Sequence, residues 1–284
     1  MKFGVIYHSA YHGADPDTLV AFATQAEAFG FESFYLPEHV ALAPGAILGA
    51  AAVDPALPIV DPVQALGLVA AVTERILLGT AVLQLPYHHP VTLAKRLATL
   101  DVLSRGRLRL LTIGLGPIPL EAEATGVDFA TRGRRADEAM DVLRLLWAGD
   151  ENGVSHSGEF FSFTDLCVFP KPHEARTLPI HVAGSSRAAA RRAGRRGDGF
   201  FPGGGLDDAE RARRFELMRA TAREAGRDPA ALEYTRWGST DLSADAVAAH
   251  AVNGVTRLVV SAGARDPQAL RDELSAFAER HGLG

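Results

Sequence analysis

Three features of the amino-acid sequence predict an α/β fold, and within that class a closed (β/α)8 barrel. Short apolar runs alternate with longer amphipathic stretches along the whole chain, and this alternation occurs eight times. Such alternation implies parallel strands joined by right-handed crossovers. The length of 284 residues suits one barrel, and the absence of an early G-x-G-x-x-G disfavours an open nucleotide-binding sheet.

The predicted strands are short and apolar, and in chain order they cover residues 2–8, 32–36, 76–83, 107–113, 179–183, 198–202, 232–237 and 255–261. Amphipathic patterns predict the intervening helices at residues 17–29, 62–73, 91–104, 132–148, 186–196, 207–225, 243–251 and 267–280. Residues typical of helix ends agree with these bounds. Ser243 and Asp266-Pro267 precede two of the helices, and Gly30 and Gly254 follow two others.

Two intervals are too long for plain connections. Residues 149–178 contain aromatic and β-prone residues, which predict an insertion with a short hairpin after strand four. Residues 40–61, rich in Ala, Gly and Pro, form a second long excursion after strand two, a candidate lid or pocket wall. We therefore expect one domain over residues 1–284 with insertions after strands two and four.

Composition and charge exclude several classes of function. A net charge of −5 gives no reason to expect a nucleic-acid partner. No apolar run is long enough for a membrane span, and the first residues lack a signal-peptide pattern, so we expect a cytoplasmic protein without a membrane partner. Cys167 is the single cysteine, and no metal-binding spacing of histidines and acids occurs, so we predict no metal site.

Polar residues at the ends of the predicted strands are the candidate functional groups, because reactive groups of such barrels lie at the carboxyl ends of strands. The stretch FYLPEHV places Glu38 and His39 directly after strand two. An imidazole can give or take a proton near neutral pH, which suits acid–base work.

The turn Gly184-Ser185-Ser186 follows strand five and leads into a helix. Free backbone N–H groups, two hydroxyls and the helix dipole make it a candidate phosphate site, although Ser is also simply preferred as a helix N-cap. The helix that follows carries Arg187, Arg191 and Arg195 on one face. That stripe is either a solvated helix face or the contact of an extended anionic ligand.

Several separated stretches resemble one known family. They are GFESFYLPEHV, ILLGTAVLQLPYHHPVTLAKRLATLDVLSRGRLRLLTIGLG, GEFFSFTDLCVFPKP and LPIHVAGSSRAAARRAGRRGDGFFP. Together they resemble the bacterial-luciferase-like flavin and deazaflavin oxidoreductases over about residues 1–205, and again near GVTRLVVS. The resemblance implies a (β/α)8 barrel, usually dimeric, that binds coenzyme F420 or FMN at its carboxyl-end mouth. The PEH and L-P-Y-x-H-P patterns favour the F420-dependent branch, with FMN as the alternative cofactor.

The resemblance also assigns roles to particular residues. Glu38 and His39 match a catalytic acid-plus-histidine pair, in which the histidine lies near the cofactor ring as an acid–base or polarising group. Thr80, Ala81 and Val82 match a strand-three bulge with a non-prolyl cis peptide behind the ring, and the aligned bond is Ala81–Val82.

Further residues are implied to bind the cofactor through backbone or small side chains. Gly114 and Gly116 match small residues that allow close backbone approach. The Gly184-Ser185-Ser186 turn matches the family's phosphate site, and Gly203, after strand six, is a further predicted cofactor-binding residue.

One departure from the family pattern concerns the stretch GLGPIPLEAE. Pro117 stands where some F420-dependent sugar-phosphate dehydrogenases carry a glutamate, which removes the aligned proton donor and puts their chemistry in doubt for this chain. Glu121 or Glu123 could replace this donor only if the loop folds back, and we expect both to be exposed helix or loop charges instead.

Three functions stay open at this point. The first is an F420-dependent oxidoreductase that transfers hydride between the deazaflavin and a small organic substrate. The alternative is an FMN-dependent monooxygenase that uses O2 and reduced flavin from a separate reductase. The third is a flavin-binding barrel without turnover. The family expectation for assembly is a homodimer, and the substrate is not predicted.

Overall fold

The computed structural model describes residues 1–48 and 51–284 and contains a closed barrel of eight parallel strands. We label them β1 to β8: Lys2–Ile6, Ser33–Leu36, Leu77–Gln84, Leu108–Gly114, Ile180–Ala183, Gly199–Phe201, Glu233–Ser239 and Arg257–Ser261. Each strand pairs with its neighbours in the sequence, and β8 closes the barrel against β1. The predicted (β/α)8 fold is confirmed, and each predicted strand overlaps an observed one.

Ten α-helices connect and flank the strands within the described ranges. They are α1 Ser9–His12, α2 Pro16–Ala28, α3 Pro62–Val72, α4 Pro90–Leu103, α5 Pro119–Ala124, α6 Arg132–Ala148, α7 Arg187–Arg196, α8 Asp208–Glu224, α9 Ala244–Val252 and α10 Pro267–His281. The eight longer helices match the predicted ones, whereas the short α1 and α5 were not predicted. None of the helices in the described ranges has both the length and the apolar character needed to cross a bilayer.

The predicted helix ends carry the expected caps. The Ser243 hydroxyl accepts the Ala246 N–H at 3.2 Å, and the Asp266 carboxylate accepts the Gln268 and Ala269 N–H groups, each at 3.0 Å. Gly30 and Gly254 end their helices with φ of +84° and +79°, a left-handed conformation that favours glycine.

A short antiparallel hairpin lies in each of the two long intervals. Ile47–Leu48 pairs with Ala51–Ala52 in the excursion after β2, whose residues 49 and 50 lie outside the described residues. Val154–Ser157 pairs with Ser162–Leu166 within the predicted 149–178 insertion. The second hairpin contacts α6, since the Glu138 carboxylate accepts the Phe160 and Phe161 N–H groups, each at 2.9 Å.

Strand side chains alternate between two hydrophobic layers. In β1, Val5 packs under the helices while Ile6 points into the barrel, and in β2 Phe34 and Tyr35 divide in the same way. This period of two is the geometry of any β-strand. The inner layer is small and includes Ala81 and Phe201, which also line the cavity described below.

An ion-pair cluster fills the amino-terminal end of the barrel. Arg257, 1% exposed, donates to both Glu32 carboxylate oxygens at 2.8 and 2.9 Å and also bonds Glu233. Burial alone would raise the pKa of Glu233, but the hydrogen bond and charge of Arg257 lower it to about 2. The neighbouring His181 is buried, and burial lowers its pKa from the ordinary 6.5 to about 4. This end is therefore built for structure and lies opposite the carboxyl ends of the strands.

The depressed pKa of His181 predicts acid-dependent stability. Because the folded state holds this ring neutral, the unfolded chain takes up the proton first as pH falls below 6.5, and folding loses stability down to about pH 4. The loss from this group is on the order of 3 kcal/mol. We expect His181→Gln to flatten the decline in unfolding free energy between these pH values, measured by urea titration at each pH. The matched control is His173→Gln, whose side chain is 37% exposed, and an equal flattening there would contradict the assignment.

Candidate functional site

A cavity of about 600 Å³ opens at the carboxyl ends of the barrel strands. Most of the residues singled out in the sequence line it. This set comprises Glu38, His39, Ala81, Val82, Gly114, Gly116, Gly184, Ser185, Ser186 and Gly203. Residues from five separate strand ends therefore converge on one site, as the barrel geometry predicts.

Thr80 is the one predicted cofactor-binding residue that does not line the cavity. Its buried hydroxyl donates to the Thr112 carbonyl at 2.8 Å and accepts the Thr112 N–H at 3.0 Å. The β3–β4 register shifts between Thr80 and Leu83, so the implied bulge is present. The Ala81–Val82 peptide is cis, as the resemblance implied. Thr80 thus ties the bulge to β4, while Ala81 and Val82 face the cavity.

His39 is held by a carboxylate that we expected to be exposed. Glu121 is 1% exposed, and its Oε2 lies 3.0 Å from His39 Nδ1. Its Oε1 accepts the backbone N–H groups of Val40 at 2.6 Å and Ala41 at 3.3 Å. The expectation for Glu121 was wrong, whereas Glu123 is exposed as expected.

The loop after β4 folds back because of α5, which was not predicted. Pro119 stands in its first turn, where a missing N–H has no cost. Ile118 and Ala122 are buried at 4% and 0% exposure, and they carry Glu121 inward with them. Glu123 falls on the opposite face of this short helix. His39 therefore has an acidic partner despite Pro117, because Glu121 supplies the carboxylate from the next turn.

The contacts of His39 fix which ring nitrogen carries the proton. An ionised Glu121 can only accept, so Nδ1 donates to it and Nε2 is left for the cavity. The Gln84 NH2 group also lies 3.1 Å from Nδ1, but it donates one N–H to the Glu38 carbonyl at 2.8 Å and has Glu121 Oε1 as an acceptor for the other at 3.4 Å. Nδ1 cannot donate and accept at once, and the carboxylate is the stronger partner.

Glu38 lines the cavity, yet its carboxylate is fully engaged. It accepts the Gln84 N–H at 2.6 Å and faces His88 Nε2 at 2.9 and 3.1 Å. Glu38 is also 5% exposed. These bonds join the loops after β2 and β3 and support the backbone that presents His39.

The Gly184-Ser185-Ser186 turn has the predicted N-cap, while its role as a phosphate site stays a prediction. The Ser186 hydroxyl accepts the Ala189 N–H at 3.0 Å, which confirms the N-cap. The Ser185 carbonyl accepts Arg214 Nε at 3.0 Å, so α8 supports the turn. Both serines still line the cavity beside the start of α7. The arginine stripe on α7, Arg187, Arg191 and Arg195, is exposed to solvent.

Sequence reasoning missed Arg132, which lines the same cavity at the start of α6. Its guanidinium lies 3.5 Å from the centre of the Phe129 ring, and its buried Nε has no hydrogen-bond partner among the described residues. One signal was available in the sequence: the first turn of α6 carries arginines and no acid. This arrangement opposes the helix dipole and makes the start of α6 a candidate anion site.

Two aromatic residues of the cavity were also given no role by the sequence. Trp237 on β7 and Phe201 on β6 line it with ring centres 4.5 Å apart. Trp237 was visible as a strand-end residue, but its pairing with Phe201 depends on strand register. Together they give the cavity an apolar wall.

The residues present fit a tricyclic cofactor with a phosphate. Gln84 Oε1 is a buried acceptor without a partner among the described residues, and Arg132 Nε is a donor in the same condition. Gly116 has φ of +74°, and a Cβ there would lie 2.6 Å from Gln84 Oε1. A ligand with ring N–H groups and an anionic end would satisfy both atoms. No three His, Cys, Asp or Glu side chains in residues 1–48 and 51–284 are grouped to hold a metal ion.

The fold and this cavity define a (β/α)8 barrel protein with a ligand site at the carboxyl-end mouth. The chain belongs to the luciferase-like monooxygenase family, whose profile matches residues 1–282.

Relatives and solved structures agree with the family. The chain is 33% identical over 211 residues to an F420-dependent glucose-6-phosphate dehydrogenase of Microbacterium testaceum, covering 73% of this chain but only 58% of that protein. Monooxygenase RslO1 from Streptomyces bottropensis superposes with a TM-score of 0.75 at 22% identity, covering 99% of this chain and 98% of that one. An F420-dependent secondary alcohol dehydrogenase gives 0.76 at 18% identity with the same coverage. At these identities the two structures show the fold alone.

Proposed function

We propose that this protein is an F420-dependent oxidoreductase in which His39 moves the substrate proton. The observation that carries the proposal is the buried Glu121–His39 pair, which leaves Nε2 facing a cavity suited to a tricyclic cofactor. The relatives named as F420-dependent dehydrogenases support the choice of cofactor. Because the match covers little more than half of those proteins, their activity supports the proposal but does not identify the activity of this chain.

When bound, the deazaflavin would accept or donate the hydride. For an alcohol that becomes a carbonyl, the bound cofactor would be the acceptor of the hydride from carbon, and His39 Nε2 accepts the hydroxyl proton, so electrons and protons balance. In the reverse direction, Nε2 returns the proton to the oxygen. Glu121 stabilises the imidazolium that exists between these events, while Val40 and Ala41 hold the carboxylate in place.

The cofactor's phosphate would bind where the two helix N-termini meet the cavity. Ser185, Ser186 and Arg132 supply hydroxyl, backbone and guanidinium donors there. F420 continues beyond its phosphate into an anionic tail, and FMN does not. The exposed arginines of α7 offer charge complementary to such a tail, which favours F420 over FMN.

The test compares two activities and one variant. We expect uncharged secondary alcohols to reduce F420, measured as loss of the oxidised-deazaflavin absorbance. We expect no oxygen consumption when the same compounds are mixed with the protein and reduced FMN. His39→Ala is expected to lower the F420-linked rate by about 10²–10⁴-fold. The matched control is His89→Ala, in the loop after β3 and outside the cavity lining, which should retain activity.

Two other outcomes would replace the proposal. Oxygen-dependent product formation with reduced FMN would make the protein a monooxygenase supplied by a separate reductase. Cofactor binding with no turnover in either assay would leave a flavin-binding barrel without catalysis.

The assembly and location are part of the same proposal. We keep the prediction of one domain over residues 1–284 acting as a cytoplasmic homodimer, in accordance with the family expectation. Light scattering on the purified protein measures the oligomeric state directly.

A further inference from the structure

The loops around the cavity mouth are poor in cations. The eight connections from a strand end to the next barrel helix are residues 7–15, 37–61, 85–89, 115–131, 184–186, 202–207, 240–243 and 262–266. Together they contain ten Asp or Glu residues, no Lys and one Arg, Arg265. The Arg265 guanidinium lies 5.8 Å from the centre of the Tyr11 ring and lines a different cavity, with His12.

Within the cavity itself there is one fixed cation among the described residues. Arg132 is the single Lys or Arg in the lining, which also includes Ser185 and Ser186 of the turn after β5, and we call these three residues the anion corner. A phosphate on the cofactor would occupy this corner. No second guanidinium or ammonium group is then left in the lining to pair with an anionic substrate.

The remaining lining is largely apolar. Trp237 and Phe201 form one wall, and Leu115 and Pro117 lie at the end of β4. Pro117, which cannot donate a backbone hydrogen bond, further reduces the donors available to a charged group. A charged substrate would lose hydration here without gaining a partner, which disfavours its binding.

We propose that the substrate of this site is a small uncharged alcohol or carbonyl compound, and that sugar phosphates are excluded. This inference rests on the proposed function. It separates the chain from the relatives whose names include glucose 6-phosphate. The acidic mouth loops repel a dianion before it reaches the cavity, and the single anion corner is filled once the cofactor is bound.

The cofactor's own charge does not conflict with this arrangement. Its anionic part would lie on the α7 side, where Arg187 and Arg191 are exposed. The substrate would enter through the acidic loops. The barrel mouth thus has a basic sector for the cofactor and an acidic sector for substrate entry.

The test uses inorganic phosphate and glucose 6-phosphate as probes of the anion corner. Titration calorimetry measures the binding of each probe. On the cofactor-free protein we expect one phosphate site, weakened at least about tenfold in Arg132→Gln. The matched control is Arg134→Gln, two residues on with a side chain 63% exposed, which should bind phosphate normally. On the cofactor-loaded protein neither probe should bind.

Cyclohexanol serves as the uncharged probe on the loaded protein. We expect it to change the Trp237 fluorescence that remains after cofactor binding, and the change should disappear in Trp237→Phe. Trp147, the other tryptophan, is buried away from the cavity at 2% exposure. Cyclohexanol should therefore bind the loaded protein under conditions in which glucose 6-phosphate does not.

The outcomes separate this inference from the proposed function. Binding or oxidation of glucose 6-phosphate by the loaded protein would overturn the uncharged substrate. Failure of phosphate to bind the cofactor-free protein would overturn the single anion corner. If the protein loads with FMN and not F420, the proposed function fails, and the same probes on the FMN-loaded protein still decide the substrate's charge.

Discussion

Replacing Glu121 by glutamine is expected to lower kcat by about 10²–10³-fold while cofactor affinity changes by less than about threefold. The reason lies in the two carboxylate oxygens. Oε1 accepts the Val40 and Ala41 N–H groups, so the oxygen of a glutamine must stay on that side. Its NH2 group then faces His39 Nδ1, which must become the acceptor. The proton moves to Nε2, and His39 can no longer take a proton from an alcohol.

Two readouts test this result. The first is turnover of the best uncharged alcohol with F420, measured for Glu121→Gln beside Glu123→Gln. Glu123 lies two residues along the same helix and is exposed, so its variant should behave as wild type. The second is ¹⁵N NMR of the histidine side chains, in which His39 should change from the Nδ1–H to the Nε2–H tautomer. Wild-type turnover together with the changed tautomer would remove Glu121 from the mechanism.

Replacing Arg257 by leucine is expected to cost about 3–5 kcal/mol of unfolding free energy. The variant keeps a smaller, apolar side chain at the buried position and leaves Glu32 and Glu233 without their shared cation. Lys2 is too exposed, with half of its side chain in solvent, to replace it. Lys2→Ala, the matched control, removes an exposed ion pair with Glu233 and should cost under about 1 kcal/mol. Urea unfolding measures both.

The Arg257→Leu penalty should also depend on pH in a defined direction. The native pKa of Glu233 lies near 2 because of Arg257, so the wild-type contribution is present above about pH 4.5 and is lost as pH falls toward 2. Without Arg257 the Glu233 carboxylate protonates at higher pH, so the difference between variant and wild type should shrink in acid. Adding Glu32→Gln and Glu233→Gln should recover part of the loss at neutral pH. A pH-independent penalty would indicate lost packing instead of unpaired charge.

The features that the sequence predicted are those that local chemistry determines. Strand and helix positions follow from hydrophobic periodicity, and caps such as Ser243 follow from side chains that reach only three residues along. Barrel topology then brings every strand end to one face, which is why His39 and the Gly184-Ser185-Ser186 turn were found without a structure. The Ala81–Val82 cis peptide came from family resemblance alone.

The features that the sequence did not predict depend on contacts between distant positions. Glu121 is 82 residues from His39 along the chain, and Arg257 is 225 residues from Glu32. The residues around Glu121 in the sequence do not indicate that it is buried. Its burial follows from the short helix α5, whose Ala122 face packs inward. Arg132 gave a weak local signal, a basic first helical turn, which has meaning only once the helix start is known to border a cavity.

The most direct test of an F420-dependent enzyme is an equilibrium titration of the cofactor-free protein with F420 and, in parallel, with FMN. The assignment predicts saturable quenching of Trp237 fluorescence by F420 at micromolar concentration, clearly weaker binding of FMN, and a large loss of F420 affinity in Arg132→Gln but not in Arg134→Gln. Tight FMN binding with no F420 binding at micromolar protein would contradict it.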